Sequence, residues 1–394
     1  KKQVPVEKGK SYEIEIHALG TSGEGVGRYE DFTVFVPYAL PGEKVRAVIT
    51  EVKKTYAKAR LTEILKKSAD RVEPICSIYN QCGGCQLQHL DYMAQLKAKR
   101  QQVIDAVTRI GGQKDVFVEP TLGAANPWNY RNKMQFPVGR EKGKTIIGCF
   151  AQGSHEIIDT RDCHIQKEGN NEIVNAVRDI ITELRIPVYD EDKHTGVVRH
   201  VVGRVGGKGE LMVVIVTATK QLPREKEFVK ALRRSLPHVV SVHQNIQTYR
   251  NNVIIGRETK LLWGKPQVNT AQAEVLYNKA LEFANLKGEE TVIDAYCGTG
   301  TITLFLAQKA HEVYGIEIVK PAILDAQKNA RDNNVRNAEF IVGDATEVMP
   351  RLYKQGVRAD VVVVDPPRAG CTETVLKTFA NMHPERIVYV SCNP

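Results

Sequence analysis

The chain has 394 residues, enough for two or three domains. Its 55 Lys and Arg against 46 Asp and Glu leave a formal charge of +9, a balance that suits a polyanionic partner. No apolar run approaches the roughly 18 residues of a membrane span, and the N-terminus carries no apolar secretory core. A cytoplasmic protein is therefore expected, whose eight cysteines serve as thiols, ligands or catalysts rather than disulfides.

Residues 1–70 read as short strands, many of them alternating apolar and polar, in SYEIEIHAL, VGRYEDFTVFVPYAL and EKVRAVITEVKKTYAKARLTEIL. Gly20, Gly23, Gly25 and Gly27 lie between them, and Pro41–Gly42 marks a turn. Five short strands in this length predict a small β-barrel of the oligonucleotide-binding type. From Lys44 to Arg71 nine basic residues stand against three acidic ones, with Tyr56 among them, which suggests phosphate contact with base stacking nearby. Cys76, Cys82 and Cys85 follow as C-x5-C-x2-C, with Cys163 far downstream. Four thiolates suit a tetrahedral zinc or a cubane iron–sulfur cluster, and the spacing does not choose between them.

Residues 91–110 predict an amphipathic helix ended by Gly111–Gly112. In NPWNYRNKMQFPVGR (126–140), Trp128, Tyr130 and Phe136 interleave with Arg131, Lys133 and Arg140, the mixture of stacking faces and cations that holds single-stranded RNA. Residues 144–260 hold the strand-like runs GVVRHVVGRV, GELMVVIVTAT, VVSVHQNIQ and NVIIG, and predict an α+β central domain that shares the cysteine site through Cys163. His194, His200 and His243 read as structural or surface residues; Cys149, Cys297 and Cys371 are given no chemistry. Three domains are expected, at 1–70, 71–261 and 262–394.

The last domain is organised around TVIDAYCGTGTIT (291–303), a short buried strand, a Gly-rich turn and a helix start. HEVYGIEI ends in Glu317, about twenty residues beyond the turn, where a carboxylate can accept hydrogen bonds from a ribose diol. AEFIVGDA ends in Asp344, ADVVVVDPPRAG carries Asp365 and Arg368, and RIVYVSCNP carries Cys392. Strands alternating with helices, with acids at the strand ends, predict a doubly wound α/β domain.

DAYCGTGTITL, the GIE strand, DPPRAG and the final YVSCNP, in this order, resemble the RNA (uracil-5-)-methyltransferase family. The likeness extends upstream to the Y-R-N-K-x-x-F run, the cysteines and the N-terminal barrel, so it spans nearly the whole chain. It implies an α/β multidomain protein with a TRAM-like barrel, an α+β central domain and a Rossmann-like S-adenosylmethionine methyltransferase domain. It further implies a methyl transfer to carbon 5 of uridine in 23S rRNA, with Cys392 as the nucleophile. Gln267, Tyr296, Glu317, Asp344 and Asp365 would line the S-adenosylmethionine pocket, and Cys76, Cys82, Cys85 and Cys163 would hold a 4Fe–4S cluster, with zinc as the alternative. Arg131, Lys133, Phe136 and Arg368 would meet RNA. Where the family has aromatics before the glutamine, this chain has Lys265–Pro266. The family's general-base glutamate is expected beyond residue 394, both ends are expected to be trimmed, and a monomer is expected.

Overall fold

Alternating burial rolls residues 11–66 into a closed barrel in the computed structural model, which describes residues 4–267, 274–367 and 370–391. Its strands are β1 (Ser11–Leu19), β2 (Gly25–Tyr29), β3 (Phe32–Val36), β4 (Lys44–Val52) and β5 (Tyr56–Lys66), in the order β1-β2-β3-β5-β4. Only the β3–β5 pair is parallel. Every second side chain, among them Ile14, Ile16, Val34, Val45, Ala47 and Ala57, fills the interior. Gly27 lies where a Cβ would stand 2.6 Å from the Glu15 carbonyl oxygen, so the strands close tightly only over glycine.

The basic run from Lys44 to Arg71 is less free than its composition suggests. Lys44 and Arg46 pair with Glu13, Lys53 and Lys58 with Glu51, and Arg71 with Glu43. For Lys44, Arg46 and Lys58 the cause is register: β1 and β4 are antiparallel with Glu13 opposite Arg46, and β4 and β5 with Glu51 opposite Lys58, so cations and carboxylates of neighbouring strands meet on the outer face, whereas the Arg71–Glu43 pair is buried.

Residues 67–91 form a loop that carries the first three cysteines, and Asp91 then caps helix α1 (Tyr92–Asp105) by accepting from the backbone N–H groups of Met93 and Ala94. The helix widens to a π-turn over Ala106–Ile110 before Gly111. The expected amphipathic face does not sink into a core: α1 buries no residue. Instead an extended segment covers one side, tied by Arg100 Nε to the Val118 carbonyl (2.9 Å) and by Thr121 Oγ1 to the Leu96 carbonyl (2.9 Å).

A seven-stranded sheet follows, built from β6 (Lys133–Glu141), β7 (Lys144–Phe150), β8 (Ile157–Asp159), β9 (Val198–Val205), β10 (Leu211–Thr217), β11 (Val239–Ile246) and β12 (Glu258–Gly264). Its order is β12-β11-β10-β9-β6-β7-β8. Helices α2 (Glu168–Glu183) and α3 (Glu225–Ser235) cover it with Ile173, Val177, Ile181, Phe228 and Leu232. The run NVIIG, expected as a strand, is not one. The Asn245 side chain bonds both the N–H and the carbonyl of Gly256 (2.7 and 3.0 Å), which takes the groups a ladder would need, and the edge strand forms later as β12.

Barrel, loop and sheet make one compact unit, Lys1–Thr270, and Ala271–Pro394 makes a second. The second begins with α4 (Glu274–Ala284) and continues as β13 (Thr291–Asp294), α5 (Thr301–Ala307), β14 (Glu312–Glu317), α6 (Lys320–Asp332), β15 (Ala338–Val342), α7 (Ala345–Lys354), β16 (Val361–Val364), α8 (Glu373–Met382) and β17 (Arg386–Tyr389). The sheet is wholly parallel, in the order β15-β14-β13-β16-β17. β16 is four buried valines, as a strand covered on both faces requires. The doubly wound expectation holds, with a chain reversal between β13 and β16, the place where such sheets open a crevice at their carboxyl ends. Among the described residues no helix is long and apolar enough to cross a membrane.

Candidate active site

At the carboxyl edge of the parallel sheet the glycine turn is built from backbone. The N–H of Ala295 donates to the Val363 carbonyl (3.0 Å) and that of Cys297 to the Ile316 carbonyl (2.9 Å), so the turn is sewn to the strands on both sides. Gly298 (φ 54°) and Gly300 (φ 81°) take the left-handed conformation that lets the chain enter α5. Glu317 grips the turn: its Oε2 accepts from Gly298 N–H (3.2 Å) and its Oε1 from Val319 N–H (2.9 Å). One carboxylate thus joins the loops after β13 and β14.

Asp344 lies two residues beyond β15 rather than at its end. It is exposed, and it caps α7 by accepting from Thr346 N–H at 2.8 Å. The sequence pattern placed it in the strand because Gly343 was read through; the strand stops at Val342. Asp365 stands just after β16 with its side chain largely exposed, and partial desolvation of its carboxyl raises its pKa. The half-buried Tyr296 has its pKa pushed up to about 12, by burial first and then by the Cys371 side chain, which it meets in a hydrogen bond. Thr346 and Thr372 touch through their hydroxyls at 3.1 Å, closing the loops after β15 and β16 on one another. Tyr296, Glu317, Asp344 and Asp365 therefore share one edge of the sheet.

Three further residues at this edge escaped the sequence pattern. Asp294 is fully buried: Thr303 Oγ1 donates to its Oδ2 (2.7 Å), and its Oδ1 has no protein partner. Burial drives its pKa up to about 7 against the opposing hydrogen bond from Thr303. A lone carboxylate closing an apolar strand was its only signal. Cys371 came to light through Tyr296, which is remote in sequence. Ile318 is 63% exposed beside Glu317, an uncovered branched aliphatic at a strand end.

In the N-terminal unit, Cys76, Cys82, Cys85 and Cys163 line one cavity of about 30 Å³, as their spacing suggested, and a fifth thiol, Cys149, lines it too. The loop docks on β7 through Gly83 N–H to the Phe150 carbonyl (3.1 Å). The Cys149 thiol hydrogen-bonds Cys82 and, with the Gly84 N–H at 3.3 Å, lowers the pKa of Cys82, whereas burial raises those of Cys76, Cys85 and Cys163. Among the described residues no three His, Cys, Asp or Glu side chains stand close enough to hold a single metal ion. The thiols share a cavity without closing on one point.

Phe136 corrects one expectation. It is buried in the core of the seven-stranded sheet and has no face for a base, because its position on β6 points inward. Arg131 and Lys133 are exposed, as is Gln267 just beyond β12. Cys392 and Arg368 lie outside the described residues.

The profile of the tRNA (uracil-5-)-methyltransferase family matches residues 255–394, and that of the TRAM domain matches residues 5–62. Curated relatives include an uncharacterised RNA methyltransferase of Halalkalibacterium halodurans, 50% identical over the whole chain and 90% of the relative. A namesake from Clostridium tetani is 49% identical over the same shares. Among solved structures, the Pyrococcus abyssi tRNA (uracil-54, C5)-methyltransferase in complex with S-adenosyl-L-homocysteine is 27% identical, with a TM-score of 0.73 over 97% of this chain and 91% of that one.

Proposed function

This chain belongs to the RNA (uracil-5-)-methyltransferase family, and from that premise we propose that it transfers the methyl group of S-adenosylmethionine to carbon 5 of uridine in 23S rRNA. The carrying observation is the carboxyl edge of the parallel sheet, where a backbone-sewn glycine turn, Tyr296, Glu317, Asp344 and Asp365 gather. Glu317 takes the ribose diol of the donor. Ile318 gives its exposed face to the adenine ring, and Asp344 stands near the adenine edge. Tyr296 and Asp365 lie toward the methionine end and the target base. Arg131, Lys133 and Arg368 contact the RNA.

Carbon 5 of uracil is too electron-poor to take a methyl group unaided. The Cys392 thiolate adds to carbon 6, forming a C–S bond and pushing the C5–C6 electron pair into an enolate. Carbon 5 then takes the methyl group from the sulfonium, leaving S-adenosylhomocysteine. A general base removes the carbon 5 proton, and the C–S bond breaks to free the thiolate and 5-methyluridine. The target uridine must leave the helical stack to reach the pocket.

The shared cavity supports Cys76, Cys82, Cys85 and Cys163 as ligands of a 4Fe–4S cluster, in which each thiolate meets a different iron; thiols that do not close on one point suit the second candidate, a single zinc ion, less well. When bound, the group would cross-link residues 76–85 to Cys163, and methyl transfer draws no electron from it. A transfer-RNA substrate is the second reading, favoured by the likeness to the Pyrococcus abyssi tRNA enzyme over 97% of this chain.

The test is methyl-labelled donor with unmodified 23S rRNA and, separately, transfer RNA, using the full-length protein and a Cys392→Ala variant. The expected result is label in 5-methyluridine of 23S rRNA, reduced by about four orders of magnitude or more in the variant. Label in transfer RNA alone would select the second reading, and label in neither would overturn both. Iron, sulfide and zinc analysis of the same preparation decides the metal group.

A further inference from the structure

Cys371 stands on the loop that runs from Asp365 to α8 and takes no part in the methyl transfer proposed above. Its place is tightly set. Just before it, the Gly370 N–H donates to the Pro367 carbonyl at 2.8 Å and turns the chain. Just after it, Thr372 caps α8, its Oγ1 accepting from the Val375 N–H at 3.4 Å, and meets the Thr346 hydroxyl of α7. Cys371 is thus held between a turn and a helix cap, with its side chain half-buried against the core beneath α7 and α8.

Tyr296, on the glycine turn, rests on the same core, and its hydroxyl donates to Cys371 Sγ. β13 and β16 are paired in the sheet, so this bond joins the loops that leave their carboxyl ends. On the other side of β16, the Tyr389 hydroxyl of β17 lies against the same loop, where a Cβ at Gly370 would stand 3.5 Å from it. The thiol is therefore set between two phenols that come from the strands flanking β16. The glycine turn is tied from the β14 side as well: Glu317 accepts from the Gly298 N–H, and Asn329 Nδ2 donates to the Thr299 carbonyl at 3.0 Å. The Tyr296–Cys371 bond is its tie from the β16 side.

The geometry points to Cys371 as a positioning residue for the methyl donor: it accepts the Tyr296 hydroxyl and so holds that ring as a fixed wall at the donor's methionine end, beside Asp365. The inference rests on the donor site proposed above. An aromatic side chain that is already held loses less rotamer freedom when the donor arrives, and the difference appears as affinity. Sulfur is a weak acceptor, so the effect is a matter of a few-fold rather than of orders of magnitude. A serine hydroxyl at this position keeps an acceptor for Tyr296, whereas an alanine methyl removes it.

The experiment is calorimetric titration of S-adenosylmethionine into the full-length protein and its Cys371→Ala, Cys371→Ser and Tyr296→Phe variants, together with the double variant Cys371→Ala, Tyr296→Phe. Cys371→Ala is expected to bind the donor about fivefold more weakly, in line with the loss of one hydrogen bond, and Cys371→Ser within about twofold of the parent. The double variant should bind as Tyr296→Phe does, because both changes break the same bond. A merely structural cysteine would give neither the serine rescue nor this non-additivity. Parental affinity in Cys371→Ala, equal loss in Cys371→Ser, or losses that add in the double variant would overturn the inference while leaving the donor site standing. A parent that binds no donor would overturn the donor site, and this inference with it.

Discussion

Glu43 in the N-terminal unit and Asp294 in the C-terminal unit are both almost fully buried, at 1% and 0% exposed. Their surroundings differ. Glu43 receives Arg71 Nε and Nη2 at 2.6 and 2.9 Å and the N–H groups of Leu40 and Ser68 at 2.9 and 3.3 Å. Burial alone would raise its pKa, yet these donors hold it below the usual carboxylate range. Asp294 has the Thr303 hydroxyl and the backbone N–H groups of Tyr296 and Thr303, none of them charged, and burial wins, raising its pKa to about 7. Burial therefore does not decide the charge of a carboxylate; a charged donor beside it does. The charged acid locks the cysteine loop to the barrel, since Arg71 also pairs with Leu90 across a bridge. The near-neutral one stands beneath the glycine turn, where a nucleotide-type ligand is expected.

The largest effect should come from removing the cation. Arg71→Ala leaves Glu43 charged and unpaired, which typically costs about 3 kcal/mol when a buried pair is broken. Urea unfolding, followed by hydrogen exchange of the barrel strands, should show it. A loss no larger than that of an exposed ion pair would mean that Glu43 is solvated.

The pH dependence separates the two acids. Glu43 has a depressed folded pKa, so its contribution is present above its unfolded value and fades as the pH falls into the acid range. Asp294 has a raised folded pKa against an unfolded value of about 3.9. Its contribution is full below about pH 4 and is lost as the pH rises toward about 7. Asp294→Asn, which keeps an acceptor for Thr303, should melt several degrees above the parent at pH 8, with the difference shrinking to about two degrees or less at pH 4. Parallel curves across that range would show that Asp294 is ionised throughout.

The smallest effect is expected from Thr303→Val, which removes one buried hydrogen bond at near-constant shape and costs about 1 kcal/mol. It should also move the midpoint of the Asp294-linked change to higher pH. An unchanged midpoint would leave the Thr303 hydroxyl without influence on the acid.

The sequence by itself determined the local parts. Alternation in Ser11–Leu19 and Lys44–Val52 specifies half-buried strands, four valines in a row specify a strand covered on both faces, and the glycines at 298 and 300 specify the left-handed turn into α5. These signals are legible because the residues that create them are contiguous. The carboxyl-end positions of Glu317 and Asp365 follow from the same strand pattern, and Asp344 was misplaced only by a boundary of two residues.

What tertiary structure decided is everything that depends on residues far apart in the chain. The inward-facing register of β6 buried Phe136 despite its neighbourhood of cations and aromatics. The docking of the loop on β7 brought Cys149 to Cys82, and the return of the chain after β16 set Cys371 against Tyr296. Strand pairing neutralised lysines and arginines that composition alone presents as a basic face. Pair energies, desolvation and shared cavities are properties of neighbours in space, and a linear pattern records them only where the chain happens to bring those neighbours together in sequence.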